Sequence, residues 1–72
     1  MNLPPDPEGQ NDARAEWAEI AIANFEMATN TDREDALGDL LCNLMHWADR
    51  NEQDFNAMLE RARTHYEVET QA

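Results

Sequence analysis

Seventy-two residues, 42% of them apolar and 29% charged, with one cysteine and a formal charge of −11, describe a single small domain with no room for a second. A chain this short buries only about 60% of the surface its unfolded form exposes, which excludes most enzymes built around a large pocket. Sixteen Asp and Glu face five Arg and no Lys, so nucleic acids and anionic membranes repel the chain and its natural partners are basic.

One cysteine cannot close an internal disulfide. No apolar run approaches the ~18 residues of a membrane span, and no charged-then-apolar leader opens the chain, so the expected compartment is the reducing cytoplasm. Residues 1–11 contain all three prolines and one of the two glycines, and besides Met1 only Leu3 is sizeable and apolar. Such a segment cannot bury enough surface to offset ordering, so a disordered arm is expected, followed by one domain over residues 12–72.

From Asp12 the pattern becomes helical. Ala13, Trp17, Ile20, Ala21, Asn24 and Ala28 recur along one stripe, flanked by Phe25 and Met27, while Glu16, Glu19 and Glu26 fall on the other side. A first helix over about residues 12–29 follows. Asn30 and Thr31 stop it, and Thr31-Asp32-Arg33-Glu34 has the form of a capping box that starts the second. That helix carries Ala36, Leu37, Leu40, Leu41, Leu44, Met45, Trp47 and Ala48 on an arc wide enough for two neighbours, with Gly38 inside it and Asn51 as a left-handed terminator. Asp54 caps a third helix running to about Glu69, whose stripe is Phe55, Met58, Leu59, Ala62 and Tyr66. Short connections favour antiparallel neighbours. The expected fold is therefore all-α, an antiparallel up-down-up three-helix bundle, or an equivalent helical unit that a homodimer completes.

The carboxylates cluster by face. At 100° per residue Asp12, Glu16, Glu19 and Glu26 share one narrow side of the first helix, and Asp35 and Asp39 form a second patch on the next. A chain needing only solubility could interleave both signs of charge, but this one has no lysine. The six residues point to attraction toward a basic protein surface, such as the nucleic-acid groove of a binding protein or complex, with steering that weakens in salt. Asp35, Asp39, Cys42 and His46 line one face over about 16 Å, too long a row for a single metal ion whose ligands sit about 2–2.3 Å away. That face reads as solvated. His65, one turn from Glu69, reads as a rim residue, and no nucleophile elbow, phosphate loop, CxxC or HExxH pattern is present.

Two resemblances extend this. The Ala36-Leu37-Gly38-Asp39-Leu40-Leu41 run, with Ala48 and the Asp54 to Ala62 segment, resembles the helical core of MazG-type nucleoside triphosphate pyrophosphatases. It implies Mg²⁺ held by Glu16, Glu19 and Asp39, although Ala36 stands where that family's second motif has Glu. The stretch from Asp35 to Glu69, including Leu44-Met45-His46-Trp47-Ala48-Asp49 and Arg61-Ala62-Arg63-Thr64-His65-Tyr66, resembles small acidic helical proteins of phages and plasmids. That resemblance implies a setting of anti-CRISPR proteins and DNA mimics. The leading expectation is a non-enzymatic, cofactor-free and metal-free binding protein that blocks a basic surface. The pyrophosphatase is the alternative.

Overall fold

The computed structural model describes residues 2–72, so the first residue of the arm lies outside it. The described residues form three helices and no strand: α1 (Asn11–Thr29), α2 (Arg33–Arg50) and α3 (Phe55–Glu69). The helices lie where their apolar periodicity placed them, and the ends show which local interactions win.

Before α1, Asp6-Pro7-Glu8-Gly9 is a turn closed by the Gly9 N–H donating to the Asp6 carbonyl at 3.1 Å. Proline at its second position and glycine at its fourth suit such a turn, and Gly9 takes φ 69°, which an L side chain resists. Gln10 offers no side-chain cap, but the Asp6 carboxylate accepts the Asn11 N–H at 3.3 Å. Arg14 then reaches back to Glu8 at 3.1 Å. The arm thus has no regular secondary structure, yet it is fastened to the first turn of α1.

Asn30 ends α1 in the left-handed region at φ 54°, a conformation asparagine tolerates better than most residues. α2 starts one residue later than the capping box requires. Asp32 is its N-cap without a side-chain cap bond. The Thr29 hydroxyl donates to the Phe25 carbonyl at 2.7 Å and lies 2.6 Å from the Thr31 hydroxyl. Because Thr29 has spent its only proton, Thr31 donates to Thr29. The Thr31 N–H, which the Glu34 carboxylate would accept in the box, donates to the Glu26 carbonyl at 3.3 Å, and the expected box is not made.

At the other end of α2, Asn51 is not left-handed, having φ −117°. Its side chain instead donates to the Trp47 carbonyl at 2.8 Å, and Glu52 takes the positive φ of 56°. A side chain in that region costs about 1–2 kcal/mol, against roughly 0.5–1 kcal/mol of extra chain entropy that glycine brings. Glu52→Gly should therefore raise stability by up to about 1 kcal/mol in urea unfolding; a loss would show that Glu52 makes a compensating interaction. α3 is capped as expected, with the Asp54 carboxylate accepting the Ala57 N–H at 3.0 Å. Removing that acceptor in Asp54→Ala should lower stability by about 1 kcal/mol by the same measurement.

The helices gather into a bundle, but not in the antiparallel up-down-up order expected. In that order the end of α3 would lie beside the end of α1, roughly 27 Å from Asn11 at 1.5 Å per residue. The Asn11 side-chain amide instead donates to the Glu69 carbonyl at 2.8 Å, and Arg14 lies 3.4 Å from the Glu69 carboxylate. The end of α3 therefore closes against the start of α1. Connections of a few residues bring consecutive helix ends together without fixing the angle between the helices, and here the chain turns corners.

Burial follows from that geometry. Ala36 and Ala48 on α2 are the only fully buried residues described. Ile22, Ala23, Phe25 and Glu26 of α1 and Phe55 of α3 are half-buried near the corners, as is Leu40 near the middle of α2. Residues 15–21 of α1, 41–47 of α2 and 56–68, nearly all of α3, are exposed throughout. The radius of gyration is 14.0 Å, against about 11 Å for a compact domain of this length.

Candidate functional site

The orientation of α1 decides which carboxylates are available. On a helical wheel Ala23 lies among Asp12, Glu16, Glu19 and Glu26, on the side expected to face water. In the structure, however, α1 packs through its last turns with Ile22, Ala23, Glu26 and the flanking Phe25 half-buried, while Trp17 and Ile20 of the apolar stripe and the flanking Met27 are 66%, 61% and 83% exposed. The faces are therefore exchanged relative to the expectation, over the second half of the helix.

Arg33, in the first turn of α2, makes this possible. Its guanidinium meets Glu19 at 2.6 Å and Glu26 at 2.9 Å, two carboxylates seven residues apart on α1. The hydrogen bond to Glu19, helped by the negative charges of Glu19 and Glu26, raises Arg33 above its ordinary value. An arginine fork suits two oxygen acceptors at once. Arg33→Gln should loosen the α1–α2 corner, with a drop in thermal midpoint that shrinks as salt is added. A midpoint equal to that of the parent at low salt would show that the pair contributes nothing.

Of the six candidate binding residues, Glu19 and Glu26 are thus engaged with Arg33. Asp12 and Glu16 on α1 and Asp35 and Asp39 on α2 are exposed and take part in no ion pair among the described residues. From sequence, Asp32 and Glu34 belong to the expected capping box and not to the binding residues. Together with Asp35 they place carboxylate oxygens within 4.8 Å of one another, all exposed, at the start of α2. Acids there are favoured by the exposed N–H groups and positive end of the helix dipole, which accounts for three like charges sharing one turn. The signal was present as Asp-x-Glu-Asp at a helix start.

The ligand set implied by the pyrophosphatase resemblance is not assembled. Among the described residues the one group of three ligating side chains is Asp32, Glu34 and Asp35; Glu16, Glu19 and Asp39 do not gather, and Glu19 turns to Arg33. That geometry does not fit a shared magnesium ion. Cys42 is a free, exposed thiol, and His46 on the same face is exposed too.

Two clefts open on the surface of the described residues. One of about 360 Å³ lies between the arm, the start of α1 and the end of α3, lined by Leu3, Asp12, Arg14 and Tyr66 among others. The second, about 350 Å³, is bounded by Leu44, Trp47, Phe55 and Met58 at the α2–α3 corner. The first is also lined by Asp6, Glu69 and Thr70, whose hydroxyl donates to the Tyr66 carbonyl at 2.8 Å, and no titratable side chain lines the second. No helix is long and apolar enough to cross a membrane among the described residues. Comparison of the chain with protein-family models, curated proteins and solved structures gives no match.

Proposed function

We propose that this chain is a non-enzymatic acidic binding protein that docks on a basic protein surface and blocks it, in the manner of a DNA-mimic or anti-CRISPR-type inhibitor. The observation that carries the proposal is the set of exposed carboxylates, Asp12 and Glu16 on α1 and the Asp32, Glu34, Asp35 and Asp39 group on α2, in a chain of net charge −11. Two of the five arginines, Arg14 and Arg33, are already committed to acids within the fold. The surplus is directed outward.

Rows of carboxylates attract a surface that evolved to hold phosphates, and they do so at long range. A cationic groove meeting this chain would be steered toward it and would lose access to nucleic acid while occupied. Individual helices carry charge more sparsely than the one per about 1.7 Å of duplex DNA, so acids on both α1 and α2 have to contribute. Affinity capture from the source cell with the immobilised chain, eluted by salt, tests the reading. The expected eluate is a nucleic-acid-binding protein that the chain displaces from duplex DNA in competition. An eluate of nucleotides alone, or a captured protein that keeps its DNA, would overturn the proposal.

A further inference from the structure

We infer that a second copy of this chain covers the apolar mid-helix faces and completes a core that one copy lacks. No large side chain is fully buried among the described residues, while Trp17, Ile20 and Met27 of α1 and Leu37, Met45 and Trp47 of α2 stand at least half exposed. The accessible surface is 6149 Å². A compact monomer of this mass would expose about 4,600 Å², so each chain carries an excess of about 1,500 Å². Part of that excess belongs to the exposed arm, residues 2–10, so two chains hiding it would bury up to about 3,000 Å² in total, against the roughly 2,000–5,000 Å² range of obligate homodimers.

Permanent complexes between different proteins bury as much, and availability favours the twin. A domain whose interior is supplied by another protein has no stable folded form when that protein is absent, whereas a second copy is present whenever the first is. The chemistry allows it as well. The positions Ala13, Trp17, Ile20, Ala21, Asn24 and Ala28 along the exposed stripe of α1 hold no charged residue; Asp12 lies further around the helix, and Glu16 borders the stripe beside Met27 and Ile20. A self-complementary apolar contact can therefore form with the acids at its edge or outside it.

Charge gives the dimer a signature opposite to that of partner binding. Two chains of −11 each repel, so added salt screens the repulsion and tightens the pair, whereas salt loosens the chain from a basic partner. The dimer contact is apolar, and of the carboxylates proposed for docking on α1 Glu16 lies at its edge, where the charge opposes pairing and is not needed for it. Either reading can consequently fail without the other.

The test is the mass of the full chain by light scattering at about 1 µM and about 100 µM, with and without about 0.5 M salt. Twice the 8.3 kDa chain mass is expected at the higher concentration, and salt should increase the dimer fraction at the lower. Met27→Glu should weaken association at least tenfold, while Glu16→Gln should not weaken it. Loss of helicity in Met27→Glu supports the dimer equally, because Met27 is 83% exposed in the single chain. A folded 8.3 kDa species at both concentrations, an assembly larger than two, or a Met27→Glu variant that associates like the parent would overturn the inference.

Discussion

On dilution from about 100 µM to below about 1 µM, the tryptophan emission should move to the red while the helical circular-dichroism signal falls with it. Both tryptophans are reporters. Trp17 and Trp47 are 66% and 56% exposed in the single chain, so an isolated copy should already emit as a solvated indole. Emission from a dry environment at high concentration therefore means that another copy covers them. The effect is large because so little else holds the chain: the interior contacts are Ala36, Ala48 and a few half-buried side chains. Burying a large apolar side chain contributes about 1.5–3 kcal/mol, and a domain of this size has only a few kcal/mol in hand. Trp17→Glu, which puts a charge into the shared face, should leave the chain largely unfolded at about 10 µM. A Trp17→Glu protein with parental helicity, and an emission maximum constant across dilution, would both argue against a shared core.

Reversing Asp12 and Glu16 to lysine should slow association with the captured basic protein by about tenfold or more and flatten its dependence on salt. The pair is chosen because neither residue holds the fold. Glu19, by contrast, is bonded to Arg33 at 2.6 Å, so reversing it would set two cations against each other at the α1–α2 corner and confuse folding with binding. Asp12→Lys with Glu16→Lys changes the chain's charge by four units, all of it on an exposed face. Steering acts mainly on the on-rate, since long-range attraction raises encounter frequency before any contact forms. An association rate unaltered by the double reversal would place the contact elsewhere, with the acids of α2 as the remaining surface. Helicity measured alongside should match the parent.

The three helices were legible because their signals are local. Apolar spacing located α1, α2 and α3, and the Asp54 cap and the Asn30 stop are single-residue effects that the structure retains. The angles between the helices were not legible. A link of a few residues constrains the distance between consecutive helix ends and leaves the axes free to splay, so the closure through Asn11, Arg14 and Glu69 had no counterpart in periodicity. Faces were misassigned for a related reason. The hydrophobic stripe of α1 was expected to point inward within one chain, yet Ala23 offers a close approach and Arg33 neutralises its acidic neighbours, so α1 packs through that side.

The turn that fastens the arm was readable but outweighed. Asp6-Pro7-Glu8-Gly9 carries turn residues in the right order, and composition alone suggested disorder. The exposed acids were legible by count and by face. Which of them remain available depended on where the arginines landed, and that is a tertiary property.

The outward carboxylates are tested most directly by the affinity of the chain for its salt-eluted partner across ionic strength, with the dimer held intact at high chain concentration. Affinity should fall by at least about tenfold between about 50 mM and 200 mM salt, as screening shortens the reach of the acids. An affinity that stays constant over that interval, or rises with salt, would contradict docking by charge.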